Sequence, residues 1–129
     1  MAVFSSERRA FNQTRQAYLA TSLAVADSHF TRLRGLLGTS ADDFGSGRGL
    51  WIVPCHGVHT LGMSFPIDVV YLDQSNTVVH VQNELQPWRF APIRMQASSV
   101  LELPCRMAAE TRTAVGDRIE ITTENAPHS

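Results

Sequence analysis

The sequence predicts an all-β domain, a jelly-roll-like β-sandwich or partly open barrel with one short N-terminal helix over about residues 28–37. Three observations predict it. Six or seven apolar runs of strand length follow one another, each bounded by turn residues. A single window spaces its apolar residues for a helix, between a cap and a glycine stop. The chain has 129 residues, 43% apolar and 18% charged, which suits one compact core and excludes a disordered chain.

Residues 1–16 are polar and Arg-rich without periodicity, so a loose arm is expected there, followed by a single β domain over 17–123. Leu19 to Ala26 reads as the first strand. Asp27 and Ser28 offer N-caps for a helix from His29 to Leu37 that Gly38 closes. Phe30, Leu33, Leu36 and Leu37 form its apolar stripe, with Arg32 and Arg34 off it. Gly45-Ser46-Gly47-Arg48-Gly49 precedes a strand instead of following one, the reverse of what a dinucleotide-binding loop needs. Strands are then expected at Leu50 to Val53, Val58 to Met63, Ile67 to Leu72, Thr77 to Leu85, Ser99 to Leu103 and Arg118 to Thr122. Asp73-Gln74-Ser75-Asn76 and Gly116-Asp117 supply turns, and residues 124–129 read as a frayed tail.

All 11 basic residues are Arg and 12 residues are acidic, for a net charge of −1. Without Lys there is no Schiff-base or P-loop lysine chemistry. The balanced charge offers no basic footprint, so no nucleic-acid partner is expected. No apolar run approaches the ~20 residues of a membrane span. Residues 8–26 imitate a secretory signal, but Glu7, Thr21 and Ser22 spoil the pattern. The expected location is therefore cytoplasmic, where Cys55 and Cys105 stay reduced.

Arg34-Gly35-Leu36-Leu37, Gly49-Leu50-Trp51-Ile52 and Met63-Ser64-Phe65-Pro66-Ile67-Asp68 with Val69 to Asp73 recur here in a specific order. With Val100-Leu101-Glu102-Leu103-Pro104 and Val115-Gly116-Asp117, they make the chain resemble an uncharacterised prokaryotic family, domain of unknown function 192. The resemblance spans about residues 18–122. It implies a compact jelly-roll sandwich with a small helix near the start, and no established activity. The chain departs from the family pattern at Val58 to Met63 and at Cys105-Arg106.

Three groups of residues could carry chemistry. Cys55-His56-Gly57-Val58-His59 combines ordinary zinc or copper ligands, with Cys55 and His59 as the metal candidates and sharing a face if the segment is extended. Asp68 stands in a strongly apolar strand and needs a partner, for which Arg34 is the first choice and Arg48 the second. Arg34, His59, Asp68 and Glu102 could instead line a small-ligand pocket. Between two prolines, Trp88-Arg89-Phe90 offers residue types that dominate binding hot spots, or else plugs one end of the sandwich. No catalytic residue or cofactor is assigned. The leading reading is a non-catalytic binding or assembly-accessory module for an unknown small ligand or protein partner. Its alternative is a metal-dependent or carbohydrate-active enzyme using Cys55, His59, Asp68 and Glu102.

Overall fold

In the computed structural model, residues 2–28, 31–32, 35–36 and 38–123 are described. Among them eight strands follow in chain order: β1 (Arg9–Asn12), β2 (Ala17–Ala20), β3 (Ser22–Ala26), β4 (Arg48–Ile52), β5 (Ile67–Leu72), β6 (Val78–Leu85), β7 (Ser99–Pro104) and β8 (Ile119–Thr122). A four-residue helix, α1 (Met107–Glu110), lies between β7 and β8. The strands form a five-stranded sheet in the order β3-β4-β7-β5-β6 and a three-stranded sheet in the order β2-β1-β8. The fold is all-β and sandwich-like, and among the described residues neither sheet closes into a barrel.

The large sheet is buried on both faces, which explains why β5 reads as an uninterrupted apolar run broken only by Asp68. One face carries Leu50, Ile52, Ile67, Val69, Tyr71 and Val100, covered by connecting segments through Leu36, Phe44, Met63 and Phe65. The opposite face carries Leu23, Val70, Leu72, Leu101 and Leu103, and packs on Ala10, Leu19, Ala20 and Ile119 of the small sheet. One layer is therefore a sheet and the other a set of loops. The loop layer is where a cleft can open.

Strand pairing is antiparallel except for β3 and β4, which run parallel. A parallel pair requires a long crossover, and residues 27–47 supply it. Within that crossover the Ser28 hydroxyl accepts the Thr31 N–H at 3.1 Å, as an N-cap does. The Arg32 and Gly35 N–H groups donate back to the Ser28 and Thr31 carbonyls, and Gly38 has φ +83°. Cap, helical turn and glycine stop stand where the sequence put them. The remainder of the expected helix, including Phe30, Leu33, Arg34 and Leu37, lies outside the described residues, as do residues 124–129.

Four expectations need correction. Residues 9–12 are not part of a loose arm: β1 is the middle strand of the small sheet, with Ala10 and Asn12 fully buried. Asn12 is tolerated there because its side-chain amide donates to Thr113 Oγ1 and Asp117 Oδ2, both at 3.0 Å. The run from Leu19 to Ala26 is two strands in different sheets, divided at Thr21, where the Thr21 and Ser22 N–H groups both donate to the Gly47 carbonyl. Val58 to Met63 forms no strand; only His59 bridges, to Phe90. Instead, buried Thr60 pins the loop by donating to the Gln86 carbonyl at 2.6 Å and accepting the Arg89 N–H at 3.0 Å. The fourth is α1, which no local pattern announced.

Candidate functional site

Glu102 occupies a core position of β7, where alternation would place an aliphatic residue. Its lateral neighbours are Leu50 on β4 and Val69 on β5, so it shares the loop-covered face of the sheet. The residue is 2% exposed. Among the described residues no hydrogen bond reaches its carboxyl, and burial pushes its pKa up to about 8. Loss of hydration without compensating donors disfavours the anion and favours the neutral acid.

Above Glu102 opens a cleft of about 490 Å³. Leu36, Ile52, Val58 and Met63 give it apolar walls, and Arg32, Cys55, His56 and His59 bring polar groups to it. The 55–60 segment is held against residues 89–98 by backbone bonds: Cys55 N–H to Ser98 O, Arg94 N–H to His56 O and Ala91 N–H to Val58 O. Gly57 permits this approach, because an added Cβ would stand 2.9 Å from the Pro92 carbonyl oxygen. The His56 ring is fixed through Nδ1 to the Ala97 carbonyl at 2.7 Å. His59 Nδ1 accepts the Leu61 N–H at 3.2 Å, which assigns the ring proton to Nε2.

Cys55 is set up as a thiol. Its Sγ donates to the Gly57 carbonyl at 3.0 Å. Burial raises its pKa first of all, and Glu102 adds to that, against lowering contributions from the Gly57 bond and Arg32. A nucleophilic cysteine needs the opposite shift. Among the described residues, no three His, Cys, Asp or Glu side chains come together to hold a metal ion, and Cys55 and His59 remain two members of an incomplete set.

Asp68 does not join this cleft. Its register partner is Leu103, so its side chain leaves the sheet on the face opposite to Glu102. There, with no exposed surface, Oδ1 accepts the Glu84 N–H at 2.9 Å and Oδ2 the Ala108 N–H at 2.8 Å. The first amide is left over by a bulge, where Val69 pairs with Gln82 but Ile67 with Leu85. The second lies in the first turn of α1, whose flanking Arg106 provides no side-chain cap. Both carboxylate oxygens are thus occupied by backbone amides. Arg34, the cation expected beside Asp68, lies outside the described residues. Arg48 is elsewhere, over the Phe4 ring at 4.7 Å and donating to the Asp43 carbonyl.

The Trp88-Arg89-Phe90 loop borders the cleft through the His59–Phe90 ring contact at 6.3 Å. Trp88 is 64% and Phe90 74% exposed, so neither plugs the sandwich. Of the residues singled out from sequence, Cys55, His59 and Glu102 line one cleft without forming a ligand cluster, Phe90 stands at its edge, and Asp68 is on the other face. Arg32 and His56 also line the cleft. From sequence Arg34 is singled out and Arg32 is not, since both lie off the apolar stripe and nothing local marks Arg32 as facing the cleft.

The model of domain of unknown function 192, described as "Uncharacterized ACR, COG1430", matches residues 10–121. A UPF0127 protein of Thermococcus sibiricus is 28% identical over 114 residues, covering 84% of this chain and 71% of its own length. A UPF0127 protein of Pyrococcus abyssi is 36% identical over 63 residues, covering 49% and 53% respectively. Two crystal structures share the fold. A Novosphingobium aromaticivorans protein of unknown function has a TM-score of 0.73 at 16% identity, covering 88% of this chain and 82% of that one. A Sinorhizobium meliloti protein, described as a proposed transcription regulator, has a TM-score of 0.75 at 19% identity, covering 94% and 97%. Among the described residues, no helix is long and apolar enough to cross a membrane.

Proposed function

The chain belongs to the family of domain of unknown function 192, and from that premise we propose that it is a non-catalytic binding module whose ligand site is the cleft floored by Glu102. The observation that carries this reading is a buried carboxyl facing an apolar-walled cleft of about 490 Å³ with no hydrogen-bond donor among the described residues. A polar group buried without a partner is costly, and a ligand that completes its hydrogen bonds recovers that cost. The cleft lies within the size range of small-molecule sites, roughly 300–1,000 Å³. The thiol state of Cys55 and the separation of Asp68 from Glu102 favour binding over catalysis. A panel of fragment-sized molecules of mixed charge tests this by the methyl resonances of Leu36, Ile52 and Met63. Saturable shifts centred on these methyls support the cleft; shifts confined to the Trp88 loop, or none, overturn it.

A second reading rests on a different observation. Trp88, Phe90, Ile93 and Met95 are 64–74% exposed and follow one another on the connection between β6 and β7. Exposed aromatic and Met side chains beside Arg89 and Arg94 have the composition of a protein-contact patch. Concentration-dependent sedimentation of the chain, abolished by paired Trp88→Ala and Phe90→Ala substitutions, would establish the patch as the contact between copies.

A further inference from the structure

The chemistry of the cleft narrows its ligand, on the reading that the cleft is a binding site. Glu102 is enclosed between Leu50 and Val69, and a Cβ added at Gly35 would stand 3.9 Å from its Oε1. Walled by aliphatic groups and reached by no described donor, the carboxyl is less costly as an acid than as an anion. In that form it offers an O–H donor and a carbonyl acceptor side by side. The complementary surface carries an N–H and a C=O on one edge. A cationic ligand would bring its charge toward Arg32, which lines the same cleft, and an anionic carboxylate, though drawn to Arg32, has no donor to offer the Glu102 carbonyl oxygen. We propose that the cleft takes a small neutral molecule through a cis-amide edge, that of a primary carboxamide or lactam, with Glu102 as the paired donor and acceptor. The Glu102 O–H donates to the ligand carbonyl, its own carbonyl accepts the ligand N–H, and the apolar remainder of the ligand rests on Leu36, Ile52 and Met63.

Burial pushes the Glu102 pKa up to about 8, so the donor is present at neutral pH and lost above that value. Among the described residues, the other charged or titratable groups facing the cleft are Arg32 on the crossover and Cys55, His56 and His59 on the segment before β5. The flanking strand residues, Leu50, Ile52 and Val69, are apolar, and Arg34 lies outside the described residues.

Benzamide, benzylamine and benzoate, titrated at pH 6.5 and pH 9 into the full chain with labelled Ile52 and Met63 methyls, test the proposal. Benzamide is expected to shift both methyls saturably, to bind tightest of the three, and to lose about tenfold in affinity at pH 9, one unit above the Glu102 pKa. Glu102→Gln keeps a donor and an acceptor without a titrating proton, so it should retain benzamide and lose the pH dependence. Glu102→Leu should lose benzamide, while Cys55→Ser and His59→Gln should retain the tenfold loss. Tighter binding of benzylamine or benzoate than of benzamide, or affinity that rises with pH, overturns the amide-edge proposal while leaving the cleft as a site. Failure of all three probes to move either methyl overturns the proposal, and the fragment panel then decides the cleft separately. If Glu102→Gln does not fold, the sign of the pH dependence in the unmodified protein decides.

Discussion

Two buried carboxyls on adjacent strands meet opposite fates. Asp68 is stabilised as an acceptor for two backbone amides, and its removal leaves the buried Ala108 N–H and the part-buried Glu84 N–H without that partner. At about 1–3 kcal/mol for the stranded Ala108 amide and less for the part-buried Glu84 one, Asp68→Ala should cost about 2 kcal/mol or more in chemical denaturation. Asp68→Asn should not restore it, because one acceptor oxygen becomes an NH₂ aimed at another N–H. Recovery to wild-type stability by Asn would remove the two-acceptor role. Glu102 carries the reverse prediction. The folded chain holds its proton up to about pH 8, whereas an unfolded glutamate releases it near 4.5. The folded state thus binds more protons than the unfolded state across that window, and stability falls as the pH rises through it, by a few kcal/mol. Urea unfolding at pH 5 and pH 8 should show the fall, and Glu102→Gln should flatten it. Asp117 acts at the acid end. Burial pushes its carboxyl up, but hydrogen bonds from Asn12, the Ala114 N–H and Arg15 outweigh that and hold it below its ordinary value. Its contribution is complete above about pH 4 and is lost as the pH falls through the lowered folded value.

At the scale of elements, β1 and the approach of β4 to its neighbours are the exacting features. β1 pairs with β2 on one side and β8 on the other, so deleting residues 1–13 removes the middle of the small sheet and uncovers Leu19, Ile119 and the Leu101 face beneath them. The truncated chain should lose its cooperative transition in far-UV circular dichroism. A truncation that melts like the full chain would mean the small sheet is dispensable. On β4, a Cβ added at Gly49 would lie 2.9 Å from the Ala20 Cβ and 3.2 Å from both Leu103 Cδ2 and Leu23 Cδ1. These are packed groups in the interior between the sheets, so Gly49→Ala should destabilise by about 1–3 kcal/mol through overpacking. An unchanged denaturation midpoint would show that the sheets can part without cost.

For the whole molecule, one five-stranded sheet serves two cores, one under loops and one under a second sheet. Because β5 and β7 contribute to both, the cores cannot unfold independently, and backbone and tryptophan signals should report a single coincident transition. Separate midpoints would show that the loop-covered core melts by itself. Cys55 and Cys105 are free thiols, and thiol counting under denaturing, non-reducing conditions should find two.

In the sequence by itself β5 to β8 are legible, two of them, β6 and β8, at sheet edges. β5 is observed over Ile67–Leu72, as its turn-bounded β-branched run predicts, and β6, β7 and β8 lie within a residue of the predicted bounds. These signals are local: a pleated strand buried on one or both faces needs only neighbours along the chain to declare itself. Tertiary structure alone decided β1, where Asn12 enters the core because Thr113 and Asp117, about a hundred residues on, accept its hydrogen bonds. It also decided α1, whose first turn is met by a carboxylate 40 residues upstream, and the site itself. Asp68 and Glu102 look alike in sequence, each an acid in an apolar strand. Pairing Val69 with Glu102 places Asp68 on the other face, and a register between strands is a relation that neither strand's own residues contain.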